Sequence, residues 1–266
     1  MLNSYGLEIV MLSFMYMLIG VIVFFFGASI FSFLNVVIYR LPRKLSFVNG
    51  RSMCPHCHRT LRGVDMIPVL NWFYLRGKCH FCGAPIALRY PLIEGLGGCL
   101  ALLCVKYFGA GPGAAVVFAF LCILTVVAFV DLDTMEIPNG LVLWAGVVGV
   151  ISIFVFPEIN LISRIIGIFS VSLPLFLITL AVPGGFGGGD IKLMAACGLF
   201  LGWKLCLLSL CFGLLTGGLY GIWLLASGKK GRKEHFAFGP FLCLGMTAAL
   251  FWGEQALEWY LSFFLI

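Results

Sequence analysis

Two aspartates and four cysteines are the residues of this chain whose types and surroundings best suit chemistry. Asp131 stands in Phe129-Val130-Asp131-Leu132-Asp133-Thr134-Met135-Glu136-Ile137-Pro138-Asn139, where a long apolar run ends. Asp190 closes Phe186-Gly187-Gly188-Gly189-Asp190, and another apolar run follows it. An ionisable group beside such a run is costly, which makes each a candidate for function. Two carboxylates held together cannot both ionise cheaply, so one keeps a proton while the other serves as a base. Such a pair can draw a proton from water and protonate a departing amine, the acid–base chemistry of amide hydrolysis. The glycines before Asp190 let a backbone approach closely, and a bound peptide would dock there as an added strand. Plainer readings stand beside this one: Asp190 as a helix cap after a glycine linker, and Asp131 with Asp133 as the start of a solvated loop. Asp133 competes with Asp131 for a place in the pair, and Glu136 reads as a surface charge.

The cysteines lie in Cys54-Pro55-His56-Cys57-His58 and in Cys79-His80-Phe81-Cys82, with 21 residues between Cys57 and Cys79. The first pentapeptide alone also fits covalent haem attachment. The second pair completes two C-x2-C knuckles, and four thiolates close a tetrahedral zinc shell with no open position, so the expected metal is structural. His56, His58 and His80 are then solvated knuckle residues. Reduced thiols without metal are the alternative, and disulfides are disfavoured in a cytoplasmic loop.

The elements that must position these groups are membrane spans. Of the 266 residues, 62% are apolar and 11% charged, and the mean hydropathy is +1.09, which excludes a soluble domain. The runs do not alternate polar with apolar, so they are helices and not strands of a barrel. A span needs about 20 apolar residues, and the runs fall near 10–37, 91–108, 113–130, 139–156, 161–182, 190–203, 204–227 and 239–265. Eight spans are expected, the sixth and seventh depending on a turn near Gly202-Trp203-Lys204. The first run lacks a basic leader and a cleavage site and is expected to be retained as a span. Seven further cysteines, from Cys99 to Cys243, lie inside the runs and read as packing residues.

Lys and Arg set the orientation. Nine of them lie between Arg40 and Arg89, and Lys229, Lys230, Arg232 and Lys233 follow later. Both segments belong in the cytoplasm, with both termini outside. Asp131 and Asp190 then sit at one depth, on the cytoplasmic face. The net charge of +6 reports this topology and not a nucleic-acid partner. Because covalent haem attachment takes place on the outer side, the cytoplasmic position also favours zinc. The insert between the first two spans has few large apolar residues, so folding coupled to metal binding would supply the stability it lacks. The expected fold is all-helical and polytopic, with spans and a zinc-bound loop 40–90 in residues 1–108 and a helical core in 109–266.

The chain resembles the bacterial type IV prepilin peptidases, which are leader peptidases and N-methyltransferases. The resemblance is carried in order by Ser32-Phe33-Leu34-Asn35-Val36-Val37-Ile38-Tyr39-Arg40-Leu41-Pro42, the two knuckles, Leu75-Arg76-Gly77-Lys78-Cys79 and Arg89-Tyr90-Pro91-Leu92-Ile93-Glu94. It continues with Asp131 seven residues before Pro138 and with the GxGD signature ending at Asp190, then Lys192-Leu193. It implies Asp131 and Asp190 as catalytic residues, with Asp133 in support, and Cys54, Cys57, Cys79 and Cys82 as zinc ligands. It also implies cleavage of a short basic leader after a glycine at the cytoplasmic face of a bacterial inner membrane. Methylation of the new N-terminus by S-adenosylmethionine would follow, the substrates being prepilins or pseudopilins. For the methyl-transfer site the resemblance offers the loop around Gly77 and Lys78 with Glu94, although a knuckle turn and a helix-end charge explain those residues equally. Asn139 departs from the aspartate common at that position. Signal peptide peptidase and presenilin relatives share GxGD, but their tyrosine-aspartate and Pro-Ala-Leu motifs are absent here. A zinc-stapled scaffold or proton-coupled transporter is a third reading, against which stand the lack of internal repeats and the placing of the aspartates at span ends.

Overall fold

The computed structural model describes residues 4–46, 52–54, 56–182, 185–227 and 236–263. The basic residues Arg51, Lys229, Lys230, Arg232 and Lys233, used above for orientation, lie outside the described residues. The chain divides into two compact units, Met1–Ala114 and Ala115–Ile266. Its regular structure is helical apart from two isolated β-bridges among the described residues.

The first unit holds α1 (Ser4–Arg40), a 3-10 turn (Gly63–Met66), α2 (Leu70–Tyr74) and α3 (Arg89–Phe108). At 1.5 Å per residue, α1 is about 55 Å long, well beyond the hydrocarbon thickness of a bilayer. Helices in lipid gain little from burying apolar surface and associate instead through close packing at small residues. Here α1 packs on α3 with Gly27 against the Gly97 carbonyl and Gly97 under the Phe31 ring, so that a methyl group at either glycine would overlap its neighbour. Asn35 Nδ2 donates to the Tyr90 carbonyl (3.3 Å) and ties the ends of the two helices.

The second unit holds most of α4 (Pro112–Thr134) and all of α5 (Asn139–Val155), α6 (Leu161–Ala181), α7 (Gly188–Ala226) and α8 (Gly239–Ser262). Among the described residues, five helices, α1, α3, α4, α6 and α7, are long and apolar enough to cross a membrane. The shorter α5 is also apolar, and the apolar run of α8 is cut by Glu254-Gln255. Over 190–227, where two short spans are expected, α7 consists of two helical arms broken at Gly202, which has φ 72° and ψ 173°. A positive φ is open to glycine at little cost, and a break there needs no other device.

Neighbour contacts show that the chain reverses at this break. Gly198 crosses Gly167, and Gly202 faces Ser163 and Ile159, so the first arm of α7 runs antiparallel to α6. Beyond Gly202, Leu205 meets Gly253, Ser209 meets Gly245 and Gly217 meets Phe238. The second arm therefore returns to the end where α8 begins. Phe120 of α4 stacks on Phe200 of α7, centroids 4.1 Å apart, and both rings are buried.

The buried side chains include a charge the sequence reading did not single out. Arg164 of α6 is fully buried. It donates to the carbonyls of Ser152 (3.1 Å), Phe156 (2.9 Å) and Ile159 (3.2 Å), to Leu199 (3.0 Å) and Phe200 (3.4 Å), and to Ser152 Oγ (2.7 Å). These carbonyls lie near the end of α5 and just before the break in α7, where helix C-termini carry partial negative charge; those of Ser152 and Phe156 also accept the backbone N–H groups of Phe156 (2.9 Å) and Ile159 (3.3 Å). One guanidinium, with five donors in a planar fork, satisfies both ends at once. Arg164→Ala removes all six of these bonds in an apolar surrounding and is expected to cost about 3 kcal/mol. Thermal unfolding in detergent should show a clear drop for Arg164→Ala and a smaller one for Arg164→Lys.

Candidate active site

Asp131 lies in the last turn of α4. The helix ends there because Met135 takes a positive φ of 56°, while its N–H still reaches the Asp131 carbonyl (2.8 Å). Thr134 Oγ1 donates to the Val130 carbonyl (2.8 Å) in the same turn. A carboxylate at a helix C-terminus meets the negative end of that helix's dipole, so it needs donors from elsewhere. They come from α8: the Gly239 N–H donates to Asp131 Oδ2 at 3.0 Å. The backbone is pressed so closely onto the carboxylate that a Cβ at Gly239 would lie 2.7 Å from Oδ2.

Asp190 lies in the first turn of α7. Its Oδ2 accepts the Gly187 N–H at 3.3 Å, the reach-back half of a capping box whose other half Gly187, lacking a side chain, cannot supply. The capping role considered above is therefore present. Asp190 does more, because it lines one cavity with Asp131. The two carboxylates are 7% and 5% exposed, respectively, and the N-termini of two helices, α7 and α8, point their amides at them.

The cavity has a volume of about 330 Å³ and is lined also by Met135, Glu136, Ile137, Asn139, Gly187–Gly189 and Lys192. Lys192 Nζ donates to Asn139 Oδ1 (3.2 Å), linking the first turns of α7 and α5 across it. Gly189 is needed for packing, since a Cβ there would come within 2.9 Å of Ile137 Cβ, whereas Gly188 faces open space. Asp133 is exposed and does not line the cavity; Glu136 is exposed and does. Sequence reasoning missed Gly239. Its only local signal is Gly-Pro at the start of an apolar run, and its role depends on a contact across 108 residues.

In the first unit, the Sγ atoms of Cys54, Cys57, Cys79 and Cys82 lie within 4.8 Å of one another. Each knuckle is closed by its own backbone: Cys54 N–H to the Arg59 carbonyl and His58 N–H to that of Cys54, and likewise Cys79 to Ala84 and Gly83 to Cys79. The Cys54 and Cys82 sulfurs are 3.8 Å apart, which is the edge of a tetrahedron with metal–sulfur bonds of about 2.3 Å. The N–H groups of Cys57 and then His56 lower the Cys54 thiol to about 6. Cys82 goes the other way, to about 11: the Ala84 N–H favours its thiolate, but desolvation and the three neighbouring cysteines outweigh that. Four thiolates this close need a cation to coexist near neutral pH, and the cluster can hold a metal ion. His56, His58 and His80 are exposed and outside it.

Gly77, Lys78 and Glu94 have identifiable places in the same unit. Gly77 is buried at a positive φ of 67°, against the Trp72 ring. Lys78 is exposed and bridges with Pro85. Glu94 Oε2 accepts the N–H of Val69 (2.8 Å), a β-branched residue held at φ 64°.

The chain is similar to known proteins along both of its halves. Residues 25–108 match the Bacterial Peptidase A24 N-terminal domain, and residues 118–222 match the Type IV leader peptidase family. A protein of Aeromonas hydrophila named prepilin leader peptidase/N-methyltransferase is 34% identical, over 92% of this chain and 94% of its own. Proteins of the same name from Legionella pneumophila (31% identical; 95% and 96%) and Bacillus subtilis strain 168 (31%; 91% and 97%) are also similar along nearly their whole lengths. No solved structure matches the chain. With both halves matched in order and the relatives covered almost end to end, the chain belongs to the type IV leader peptidase family.

Proposed function

We propose that the chain is a membrane aspartic endopeptidase that removes the short basic leader of type IV prepilins or pseudopilins after a glycine, and then methylates the new N-terminus. The names of its relatives support both activities. The observation that carries the peptidase reading is the burial of Asp131 and Asp190 in one cavity, each with one carboxylate oxygen bound to a backbone amide. That leaves the other oxygen of each for a water molecule. One carboxylate takes a proton from this water as its oxygen adds to the carbonyl carbon of the scissile peptide. The other gives its proton to the departing nitrogen as the C–N bond breaks, and the pair is reset by exchange with solvent. Open space beside Gly188 lets an extended backbone come close, and exposed Glu136 suits a basic leader.

The same reading takes α5, both arms of α7 and α8 as spans, eight in all, with the aspartates at the cytoplasmic face and the peptidase core in 109–266. The apolar helix of a prepilin would enter sideways from lipid. Loop 40–90 is then a cytoplasmic insert stapled by structural zinc on Cys54, Cys57, Cys79 and Cys82, four sulfurs whose spacing fits it. S-Adenosylmethionine would supply the methyl group to the new terminal amine. Its amino-acid end carries an ammonium and a carboxylate, which Glu94 and Lys78 respectively match in charge, with Gly77 supporting the turn that carries Lys78.

Asp131→Asn and Asp190→Asn are each expected to lower cleavage of a peptide with a basic leader and glycine before phenylalanine by about 10²–10⁴-fold while leaving folding intact. Full activity in either variant removes that residue from the mechanism. Elemental analysis should find about one zinc per chain, lost in Cys54→Ser together with resistance of the insert to proteolysis. Lys78→Ala and Glu94→Gln should still yield cleaved product, but mass spectrometry should show it lacking the added methyl group. Methylation at the unaltered rate would exclude both residues.

A further inference from the structure

Each catalytic aspartate is held by the amide of a glycine that directly follows a phenylalanine: Phe186-Gly187 for Asp190 and Phe238-Gly239 for Asp131. The two phenylalanine rings touch, with centroids 5.6 Å apart and planes tilted by 58°. Both are half-buried, and neither lines the cavity. Phe238 is braced from behind by Gly217 of the α7 return arm, where a Cβ would come within 2.9 Å of its ring, and it lies beside Phe241. On the other side of the contact, Phe186 precedes the N-cap of α7.

Resting on the peptidase reading, the geometry points to Phe186 and Phe238 as positioning residues: an aromatic clasp between the starts of α7 and α8 that fixes the spacing of the Gly187 and Gly239 amides, and through them the spacing of the two carboxylates. Each donor belongs to a different helix start, and the ring contact joins the residues immediately before those donors. Tilted aromatic pairs have a preferred geometry, which suits them to hold a fixed separation. A catalytic pair must be held to a fraction of an ångström, since a misplacement of 1 Å costs on the order of 100-fold in rate. Because the rings stand outside the cavity, loosening them should impair chemistry more than substrate binding.

A double-mutant cycle on kcat tests this, using the purified full-length protein and the basic-leader peptide with glycine before phenylalanine. Phe186→Ala and Phe238→Ala are each expected to lower kcat by about 10- to 100-fold with KM changed less than about threefold. The double variant should be no worse than the poorer single, because either change alone opens the clasp. Phe186→Tyr and Phe238→Tyr should recover most of the rate. Where an alanine variant does not fold, leucine variants serve in the same cycle, with smaller losses in the same non-additive pattern. Unchanged kcat, losses that multiply, or a change confined to KM would overturn the clasp. Absence of cleavage by the unaltered protein would overturn the peptidase reading itself, and is distinguishable because it precedes any variant.

Discussion

Two buried carboxylates at the ends of apolar helices need hydrogen-bond donors, and in this protein the donors are backbone amides at the starts of two other helices. An amide of this kind is fixed by the fold and brings the positive end of a helix dipole with it. Asp190 is served by its own helix. Asp131 cannot be, because it lies at the C-terminal end of α4, where the local dipole repels negative charge. Its donor must arrive on a separate element, and the Gly239 amide meets that need only if α8 begins at the same end as α7.

That requirement shapes the rest of the second unit. The chain leaves the aspartate end along the first arm of α7, must return to it before α8 can start, and does so by breaking at Gly202. Breaking a helix in an apolar medium exposes carbonyls, and Arg164 collects those of the first arm together with those at the end of α5. Among the described residues, the buried charges of this unit thus sit at two places, a guanidinium at the bend and a pair of carboxylates at the opposite end of the arm. Between them the arms pack through small residues such as Gly198 on Gly167 and Gly245 on Ser209. In the first unit the equivalent economy is local: two backbone-closed knuckles present four sulfurs within 4.8 Å of one another.

Much of this was legible in the sequence because it is local. Runs of apolar residues marked the helices, the C-x2-C pairs marked the sulfur cluster, and Gly202-Trp203-Lys204 marked the break in α7. Depth along the spans was enough to bring Asp131 and Asp190 to one level, and the structure puts them in one cavity. What could not be read depends on partners far apart in the chain. Arg164 looks in sequence like a loop-proximal charge, and only the convergence of α5, α6 and α7 gives it six acceptors. Gly239 looks like a helix start, and only the return of α8 to Asp131 makes it a donor. Gly77 and Glu94, which the sequence also allowed as a knuckle turn and a helix-end charge, have local places of that kind: Gly77 packs against Trp72, and Glu94 near the start of α3 accepts the Val69 N–H.

The account stands on the two aspartates acting on one atom. The most direct measurement is an experimental structure of the protein in a lipid bilayer mimic, bound to a leader peptide whose scissile amide is replaced by a hydroxyl-bearing isostere. The hydroxyl is expected to lie within hydrogen-bond reach of both the Asp131 and the Asp190 carboxylates, with the Gly239 and Gly187 amides still bound behind them. A hydroxyl bound by one carboxylate alone, the other turned to a different surface of the protein, would contradict it.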